Sequence, residues 1–435
     1  MMKPPFIVEA DATWIGNRCQ PGVRVAVDES GLISAVGPLP EQNVHRLLGK
    51  VLLPGMINVH SHAFQRGLRG LAERFPRESG DFWSWRESMY RLAEGMDADT
   101  IYEITRRAFT EMLAAGITTV GEFHYLHHDA SCNGFAFDDI ILQAAHDAGI
   151  RLVLLNSFYK TGGIGRPLIG GQKRFTCDSV AELWKQVDRL ERQLRNDRQS
   201  LAVAPHSIRA VPLEDLISLR NEATRRDMVC HIHVEEQTKE IDDCLSEYAE
   251  TPMSLVNRNL NVDPTFTAIH CTHTATPDLT RFLEGGGNVC LCPTTEGNLG
   301  DGFPDSIRMN ESGAICIGTD SNTRICLLED LRWLEGVQRL QKRQRGILTD
   351  REGSNAKPLF DAVTVNGARS LGLQTGKIEP GFLADFIAVE LTSPPLIGCP
   401  IENLLEALIF GCGDCVISDV CVGGRWVFSR SQPSH

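Results

Sequence analysis

The chain has 435 residues, a net charge of −13 at neutral pH and 42% hydrophobic residues. This length exceeds one ordinary core and fits a barrel with a satellite domain, and the composition is that of a folded globular protein. The negative charge argues against nucleic acid and anionic membranes as partners. An anionic substrate would therefore need a local cluster of arginines.

The cysteines and the N-terminus indicate the compartment. The 14 cysteines are scattered, and several lie inside apolar strand-like runs, as Cys230, Cys290 and Cys316 do. The first residues contain no apolar run typical of a signal peptide, and no stretch of about 18 apolar residues predicts a membrane helix. We therefore expect reduced cysteines and a cytoplasmic location.

Short apolar runs alternate with helical patterns over the middle of the chain. Runs of Val, Ile and Leu without clean alternation are typical of parallel strands buried on both faces. The sequence predicts eight such strands, at residues 56–59, 117–120, 151–155, 201–204, 228–230, 267–269, 288–291 and 314–317. Eight strand–helix units predict an α/β protein with a (β/α)8 TIM-like barrel, whose functional side chains follow the strands. A doubly wound open sheet is the alternative, but no glycine-rich dinucleotide turn follows the first strand.

The two ends of the chain have a different pattern. Their apolar residues alternate as in exposed antiparallel strands, at residues 6–27, 31–36, 384–389 and 420–427. The pair Gly423-Gly424 indicates a hairpin turn. We therefore expect a small β-sandwich domain formed by residues 1–53 and 376–435, beside a metal-dependent hydrolase barrel over residues 54–375.

A long insertion follows the first barrel strand. It spans residues 63–97 and carries Phe82, Trp83 and Trp85. Because this segment is larger than a usual connection in such a barrel, it is a candidate cover for the active site.

Histidines and one aspartate lie at the ends of the predicted strands. His60 and His62 end the first strand and share one face, because strand side chains alternate. His233 follows the fifth strand, His270 ends the sixth and Asp320 follows the eighth. Imidazole and carboxylate groups suit Zn²⁺, which binds them at about 2.0–2.2 Å. The sequence predicts a metal site at this end of the barrel.

Two choices in this site depend on neighbouring residues. His231 and His233 share one face of their strand, and we favour His233 because Glu236 follows three residues later, where it could act as a proton shuttle. A site with two metals usually takes a bridging carboxylate or carboxylated lysine from the middle strands. The fourth strand ends instead at His206, with no lysine or acid beside it. One metal is favoured over two.

These motifs resemble the amidohydrolase superfamily over essentially the whole chain. The H-x-H pair and the aspartate mark only the superfamily. Three further segments, Phe82-Trp83-Ser84-Trp85-Arg86, His124-Tyr125-Leu126-His127-His128 and Pro205-His206-Ser207-Ile208-Arg209, resemble the formimidoylglutamate deiminase family, as do residues 231–238 and 292–296. Such enzymes convert N-formimino-L-glutamate and water to N-formyl-L-glutamate and ammonia in histidine degradation.

The resemblance implies roles for individual residues. One Zn²⁺ per chain would be bound by His60, His62, His233 and Asp320. Glu236 and His270 would transfer protons, with Asp320 as the base. The two carboxylates of the substrate would be bound by Gln65, Arg86, Tyr125, His206 and Arg209, which agrees with the pairing of arginine forks with carboxylates. The resemblance leads us to expect a histidine near Asn322, and its absence leaves open a related amidine substrate.

Two alternative functions remain open at this point. An aminohydrolase of a cyclic amidine, such as guanine or a pterin, would share the metal site but would use aromatic stacking in place of the arginines. A catalytically inactive amidohydrolase-like scaffold is the alternative outside catalysis, and the intact set of metal ligands argues against it. We expect a small-molecule dicarboxylate amidine as substrate, neither nucleic acid nor membrane as partner, and a homodimer.

Overall fold

The computed structural model describes residues 4–71, 73 and 82–430. These residues form two β-sheets surrounded by helices. One sheet consists of eight consecutive strands from the middle of the chain, and the other combines strands from both ends. Within this part of the chain, no helix is both long and apolar enough to cross a membrane.

The strands alternate with helices through the middle of the chain. The strands are β1 Phe6–Ile15, β2 Arg18–Pro21, β3 Arg24–Val27, β4 Ile33–Gly37, β5 Val44–Pro54, β6 Met56–Ser61, β7 Ile117–His124, β8 Arg151–Phe158, β9 Gln199–Pro205, β10 Cys230–Val234, β11 Phe266–His270, β12 Asn288–Leu291, β13 Ile315–Ile317, β14 Phe386–Glu390, β15 Ile417–Val422 and β16 Arg425–Ser429. The helices are α1 Phe82–Gly95, α2 Ala98–Ala114, α3 Ala136–Ala148, α4 Val180–Glu191, α5 Leu213–Arg225, α6 Thr238–Tyr248, α7 Pro252–Asn259, α8 Thr276–Glu284, α9 Pro293–Leu299, α10 Ser306–Glu311, α11 Leu327–Lys342, α12 Ala356–Ala362, α13 Val365–Ser370 and α14 Leu404–Gly411.

Strands β6 to β13 form the barrel in chain order, each parallel to its neighbours. The barrel closes between β13 and β6 through two backbone hydrogen bonds. The Asp320 N–H donates to the His60 carbonyl at 2.9 Å, and the His62 N–H donates to the Asp320 carbonyl at 2.9 Å. All residues of β6, β7 and β8 are buried, as expected for strands covered on both faces. The predicted (β/α)8 barrel is confirmed.

Strand β10 differs from the prediction in a way that affects the site. The prediction ended this strand at residue 230, with the histidines after it, whereas β10 begins at Cys230 and contains His231 and His233. The strand pairs with β11 from Cys230 to Val234. The prediction relied on the apolar run before Cys230, but the inward-facing residues of a barrel strand are polar where they meet the site.

The sheet from the chain ends has the strand order β16-β15-β14-β5-β1-β3-β4, with β2 paired to β1. It is mixed, because β1 and β5 run parallel while the other pairs are antiparallel. Side chains from both halves of the sheet, including Val8, Val25, Phe386 and Cys421, bury in a core separate from that of the barrel.

The glycine pair between β15 and β16 confirms the predicted hairpin. Gly423 and Gly424 have φ values of 55° and 70°, the left-handed backbone that such a two-residue turn requires. Strand β5 was missing from the predicted strands, and it lies in the predicted small domain except for its last residue, Pro54. The boundaries after residue 53 and before residue 376 stay predictions.

A buried ion pair joins the two sheets. Arg151, at the start of β8, donates from Nε and Nη2 to the two carboxylate oxygens of Asp385 at 2.8 and 3.0 Å. Asp385 precedes β14 and also accepts from Thr375 Oγ1 at 3.1 Å and from the Gly423 N–H at 2.7 Å. The carboxylate is therefore fully used, and the pair has the bidentate geometry that makes such interactions strong.

Replacing Asp385 by alanine should destabilise the protein strongly. The change leaves Arg151 charged and without its carboxylate at a position only 3% exposed, which typically costs about 3–5 kcal/mol of unfolding free energy. Urea unfolding followed by circular dichroism measures this loss. Glu379→Ala is the control, since it breaks an exposed pair with Lys377 and should cost at most about 1 kcal/mol. Equal losses for the two variants would contradict a role for Asp385 in joining the sheets.

Candidate active site

A cavity of about 230 Å³ opens at the carboxyl ends of the barrel strands. Every site residue predicted from the sequence lines it except His60, which is fully buried beside His62 and His233. The lining residues among those predicted are His62, Gln65, Arg86, Tyr125, His206, Arg209, His233, Glu236, His270 and Asp320. The fold therefore brings together side chains from positions far apart in the sequence.

Among these residues, three histidine nitrogens and a carboxylate converge on one point. The Nε2 atoms of His60 and His233 are 3.2 Å apart. Asp320 Oδ1 lies 3.5 Å from His60 Nε2 and 3.4 Å from His62 Nε2. Ligands placed at about 2.05 Å around a tetrahedral ion would be about 3.3 Å from one another. The spacing of these donor atoms therefore fits one metal ion.

Hydrogen bonds fix which nitrogen of the His62 and His233 rings faces this point. His62 Nδ1 donates to the Phe123 carbonyl at 2.8 Å, and His233 Nδ1 donates to the His206 carbonyl at 2.9 Å. Each ring then presents an Nε2 lone pair to the cluster, since a neutral imidazole carries one proton. Burial lowers the pKa of His60 to about 3, and it also lowers the pKa values of His62 and His233. The rings are therefore neutral and suited to bind a metal.

The structure distinguishes His233 from His231. His231 lies two residues earlier on the same face of β10, about 6.6 Å lower in the barrel. Its Nε2 donates to the Ser370 carbonyl at 2.9 Å, in the helix α13. His231 therefore takes part in the packing of the barrel, and His233 lies in the cluster.

Asp320 is held by a strained turn after β13. Asp320 and Asn322 have φ values of 48° and 55°, which are uncommon for residues other than glycine and often mark functional sites. Asn322 Nδ2 donates to Ser61 Oγ at 3.0 Å and to the Asp320 carbonyl at 3.1 Å, and Asn322 Oδ1 accepts from Thr319 Oγ1 at 2.6 Å. Asn322 therefore ties the turn to β6 and is not among the cavity-lining residues.

His270 lies among three carboxylates. Its Nδ1 is 3.2 Å from Glu296 Oε1, and its Nε2 is 3.8 Å from both Glu236 Oε1 and Asp320 Oδ2. Burial opposes a charge on this ring, but Glu236, Glu296 and Asp320 outweigh burial and raise the pKa of His270 to about 10. His270 is therefore protonated near neutral pH and can donate from both nitrogens.

The sequence did not assign a role to Glu296. The carboxylate accepts from His270 Nδ1 and, at 2.9 Å, from the Cys292 N–H, so it orients the ring of His270. The sequence did contain an indication of such a role, since Glu296 ends the segment Cys292-Pro293-Thr294-Thr295-Glu296, one of those that resemble the deiminase family. Its contact with His270 depends on the packing of β11 against β12 and α9, which no sequence pattern reveals.

The two predicted arginines are held differently. Arg209 Nη2 donates to Glu236 Oε2 at 3.2 Å, and Arg209 Nε lies 3.9 Å from Glu240 Oε2. Arg86 stacks on Trp83, with its guanidinium carbon 4.3 Å from the ring centre. Among the described residues, Arg86 forms no ion pair. Both guanidinium groups reach the cavity, but only that of Arg209 is already paired with acids.

The remaining predicted substrate residues form the wall between β6 and β9. Gln65 Nε2 donates to Tyr125 Oη at 2.7 Å, while Gln65 Oε1 is buried with no hydrogen-bond partner in the described part of the chain. Burial and the nearby Arg209 lower the pKa of His206 well below its usual value, so this ring is neutral. The sequence missed Tyr159, whose ring lies 4.8 Å from that of His206.

The predicted cover is only partly described. Helix α1 contributes Phe82, Trp83, Trp85 and Arg86 to the cavity lining. Residue 72 and residues 74–81 of the same insertion lie outside the described residues.

The histidines of the segment His124–His128 lie outside the cavity. His124 Nε2 and His127 Nδ1 are 3.1 and 2.8 Å from Asp138 Oδ1, and His127 Nε2 donates to the Ser157 carbonyl at 2.8 Å. Asp138 Oδ2 accepts from Asn156 and Gln186. These hydrogen bonds saturate the carboxylate, so this buried cluster supports the ends of β7 and β8.

Comparisons with known proteins agree with this geometry. A profile described as the Amidohydrolase family matches residues 51–427. The chain is similar to formimidoylglutamate deiminase from Pseudomonas aeruginosa, with 37% identity over 412 residues, 93% of this chain and 90% of that protein. It is also similar to 5-methylthioadenosine/S-adenosylhomocysteine deaminase from Syntrophobacter fumaroxidans, at 28% identity over 95% of this chain and 89% of that protein. A crystal structure of an amidohydrolase from Brucella melitensis aligns with a TM-score of 0.89 and 34% identity, covering 98% of this chain and 96% of that one.

Alanine substitution should lower metal binding at only one of the two β10 histidines. His233→Ala removes a donor atom from the cluster and should lower metal affinity by more than about 100-fold. His231→Ala should keep the metal and lower thermal stability, because it removes the hydrogen bond to Ser370. Metal content by mass spectrometry, with melting curves for both variants, measures the difference. Loss of metal in His231→Ala but not in His233→Ala would reverse the assignment.

Proposed function

Because this chain belongs to the amidohydrolase family, we propose that it is a zinc-dependent deiminase that hydrolyses N-formimino-L-glutamate to N-formyl-L-glutamate and ammonia, in histidine degradation. The chain is a hydrolase acting on C–N bonds. The observation that carries the finer proposal is that two arginines, Arg86 and Arg209, line the same cavity as the metal cluster. Similarity to the Pseudomonas enzyme over 93% of the chain supports the same substrate.

The donor set supports zinc as the metal. Imidazole nitrogens and carboxylate oxygens are groups that bind zinc in proteins, and a catalytic site keeps one further position for water. The cluster of His60, His62 and His233 with Asp320 suits one ion per chain. Zinc, when bound, supplies a Lewis acid that makes a water nucleophilic near neutral pH.

Three residues of the chain would then move protons. Asp320 Oδ2 accepts the proton of the water that attacks the formimino carbon. His270, protonated near neutral pH, would donate from Nε2, orient the reacting group and stabilise the charge that develops during the attack. Glu236 carries a proton to the nitrogen that leaves as ammonia. Proton transfer of this kind typically contributes about 10²–10⁴-fold to the rate.

The cavity wall would bind the two carboxylates of the substrate. Arg86 and Arg209 supply guanidinium groups that pair with planar carboxylates, and Tyr125, His206 and Gln65 supply hydrogen bonds beside them. A substrate held at two points keeps its amidine carbon above the metal cluster, where positioning lowers the barrier by several kcal/mol, on the order of 7 or more in favourable cases. The homodimer and the cytoplasmic location stay predictions from the sequence.

A second candidate function is deamination of a cyclic amidine. The 28% identity to a deaminase of adenine derivatives favours it, and so do the rings of Phe82, Trp83 and Trp85 in the cavity. Ammonia release from the purified zinc-loaded protein tests the two functions side by side, with N-formimino-L-glutamate, guanine and 5-methylthioadenosine as substrates. Activity on a ring compound alone would reject the proposed substrate. The metal content of the same protein is a separate test, and two tightly bound metals per chain would reject the mononuclear site.

Glu236→Gln should lower kcat by about 10²–10⁴-fold while zinc stays bound. Glutamine keeps the shape of the side chain but cannot carry a proton. Steady-state kinetics and zinc content measure the two effects. Glu235→Gln is the matched control, because the Glu235 carboxylate accepts from the Met253 N–H and is not among the cavity-lining residues, so its kcat should stay close to that of the wild type. Loss of zinc in Glu236→Gln would show that this residue supports the metal site instead.

A further inference from the structure

The proposed proton carrier is tied to the proposed substrate anchor. Arg209 Nη2 and Glu236 Oε2 form a hydrogen-bonded ion pair at 3.2 Å. The two side chains are 13% and 8% exposed, so water does little to weaken the attraction between them. Glu236 Oε1, the other oxygen, lies toward His270 Nε2 at 3.8 Å.

This pairing restrains Glu236 as a carrier of protons. The guanidinium holds the carboxylate in one orientation, whereas a shuttle must receive a proton at one place and deliver it at another. Breaking a buried pair without a replacement partner is costly, because it leaves two buried charges uncompensated. A carboxylate of the substrate, arriving at Arg209, is such a replacement partner.

We propose that a carboxylate of the substrate takes the place of Glu236 on Arg209 and thereby releases Glu236 for proton transfer. This inference rests on the proposed function and deepens it. Arg209 then determines specificity through turnover as well as through binding. A substrate without that carboxylate leaves Glu236 paired and reacts slowly even when it is bound.

The position of Glu240 makes this exchange feasible. Glu240 is fully buried in α6 and lies 3.9 Å from Arg209 Nε. Its two carboxylate oxygens have no hydrogen-bond partner among the described residues, so Arg209 is the cation beside it. Glu240 therefore attracts the guanidinium near Nε, whereas Glu236 accepts from Nη2. Arg209 can change its partner at Nη2 without leaving the cavity wall.

The proposal makes an unusual prediction for a substrate without carboxylates, such as N-propylformamidine. Arg209→Met frees Glu236, so kcat for N-propylformamidine should rise by about 10-fold over the wild type, the value of one charge-assisted hydrogen bond. The same variant should lose kcat/KM on N-formimino-L-glutamate. If Arg209 is an anchor only, the variant leaves turnover of N-propylformamidine unchanged. If it supports the fold, turnover falls. Either result overturns the proposal.

Two further variants and a measurement of zinc content keep this test specific to Arg209. Arg166→Met removes a positive charge from the cavity lining, where Arg166 lies 3.9 Å from Asp243, and should not raise turnover of N-propylformamidine. Zinc content is measured for every variant, so that a change in metal loading is not read as a change in Glu236. Arg209→Gln is the second variant, since it removes the charge and keeps a polar side chain in the wall.

The wild-type chain gives a test without substitutions. Two substrates, each lacking one of the two carboxylates of N-formimino-L-glutamate, should behave differently. The one that lacks the carboxylate bound by Arg209 should lose kcat by about 10-fold, whereas the other should mainly raise KM. Unchanged kcat for both would overturn the proposal. Failure of the proposed function is seen separately, as absence of ammonia from N-formimino-L-glutamate itself.

Discussion

Two backbone hydrogen bonds close the barrel, and they join the residues whose side chains form the metal cluster. The Asp320 N–H and carbonyl pair with His60 and His62 across the seam between β13 and β6. The strands approach so closely that a Cβ on Gly318 would lie 2.6 Å from His60 Cβ, which only glycine allows. Three of the four candidate ligands are therefore placed by the closure of the sheet. Ligands on a rigid scaffold keep their geometry better than ligands on loops.

The charges around this cluster are arranged in pairs. Arg209 is paired with Glu236, His270 with Glu296, and Lys239 with Asp243 at 2.7 Å. An anionic substrate entering a protein with a net charge of −13 meets few cations without a partner, and Arg86 on the face of Trp83 is one of them within the described structure. Under the proposed function, binding at Arg209 therefore depends on exchange of partners, which favours turnover of ligands that bring their own carboxylates.

Much of the fold could be predicted because its signals are local. Apolar runs and helix ends gave the eight barrel strands in order, and the period of two placed His60 and His62 on one face. The contacts of Glu296 and Glu240 could not be predicted, because they depend on which helices lie behind the strands. The choice between His231 and His233 had the same limit: both face inward, and only the depth in the barrel separates them.

The identity of the product tests the central claim most directly. N-formimino-L-glutamate labelled with ¹³C at the formimino carbon can lose either of two C–N bonds, and a nuclear magnetic resonance spectrum of the reaction with the zinc-loaded protein distinguishes them. We expect labelled N-formyl-L-glutamate and an equal amount of ammonia, because the carboxylates hold the glutamate nitrogen away from the proton that Glu236 delivers. Labelled formamide with free glutamate, or unchanged substrate, would contradict it.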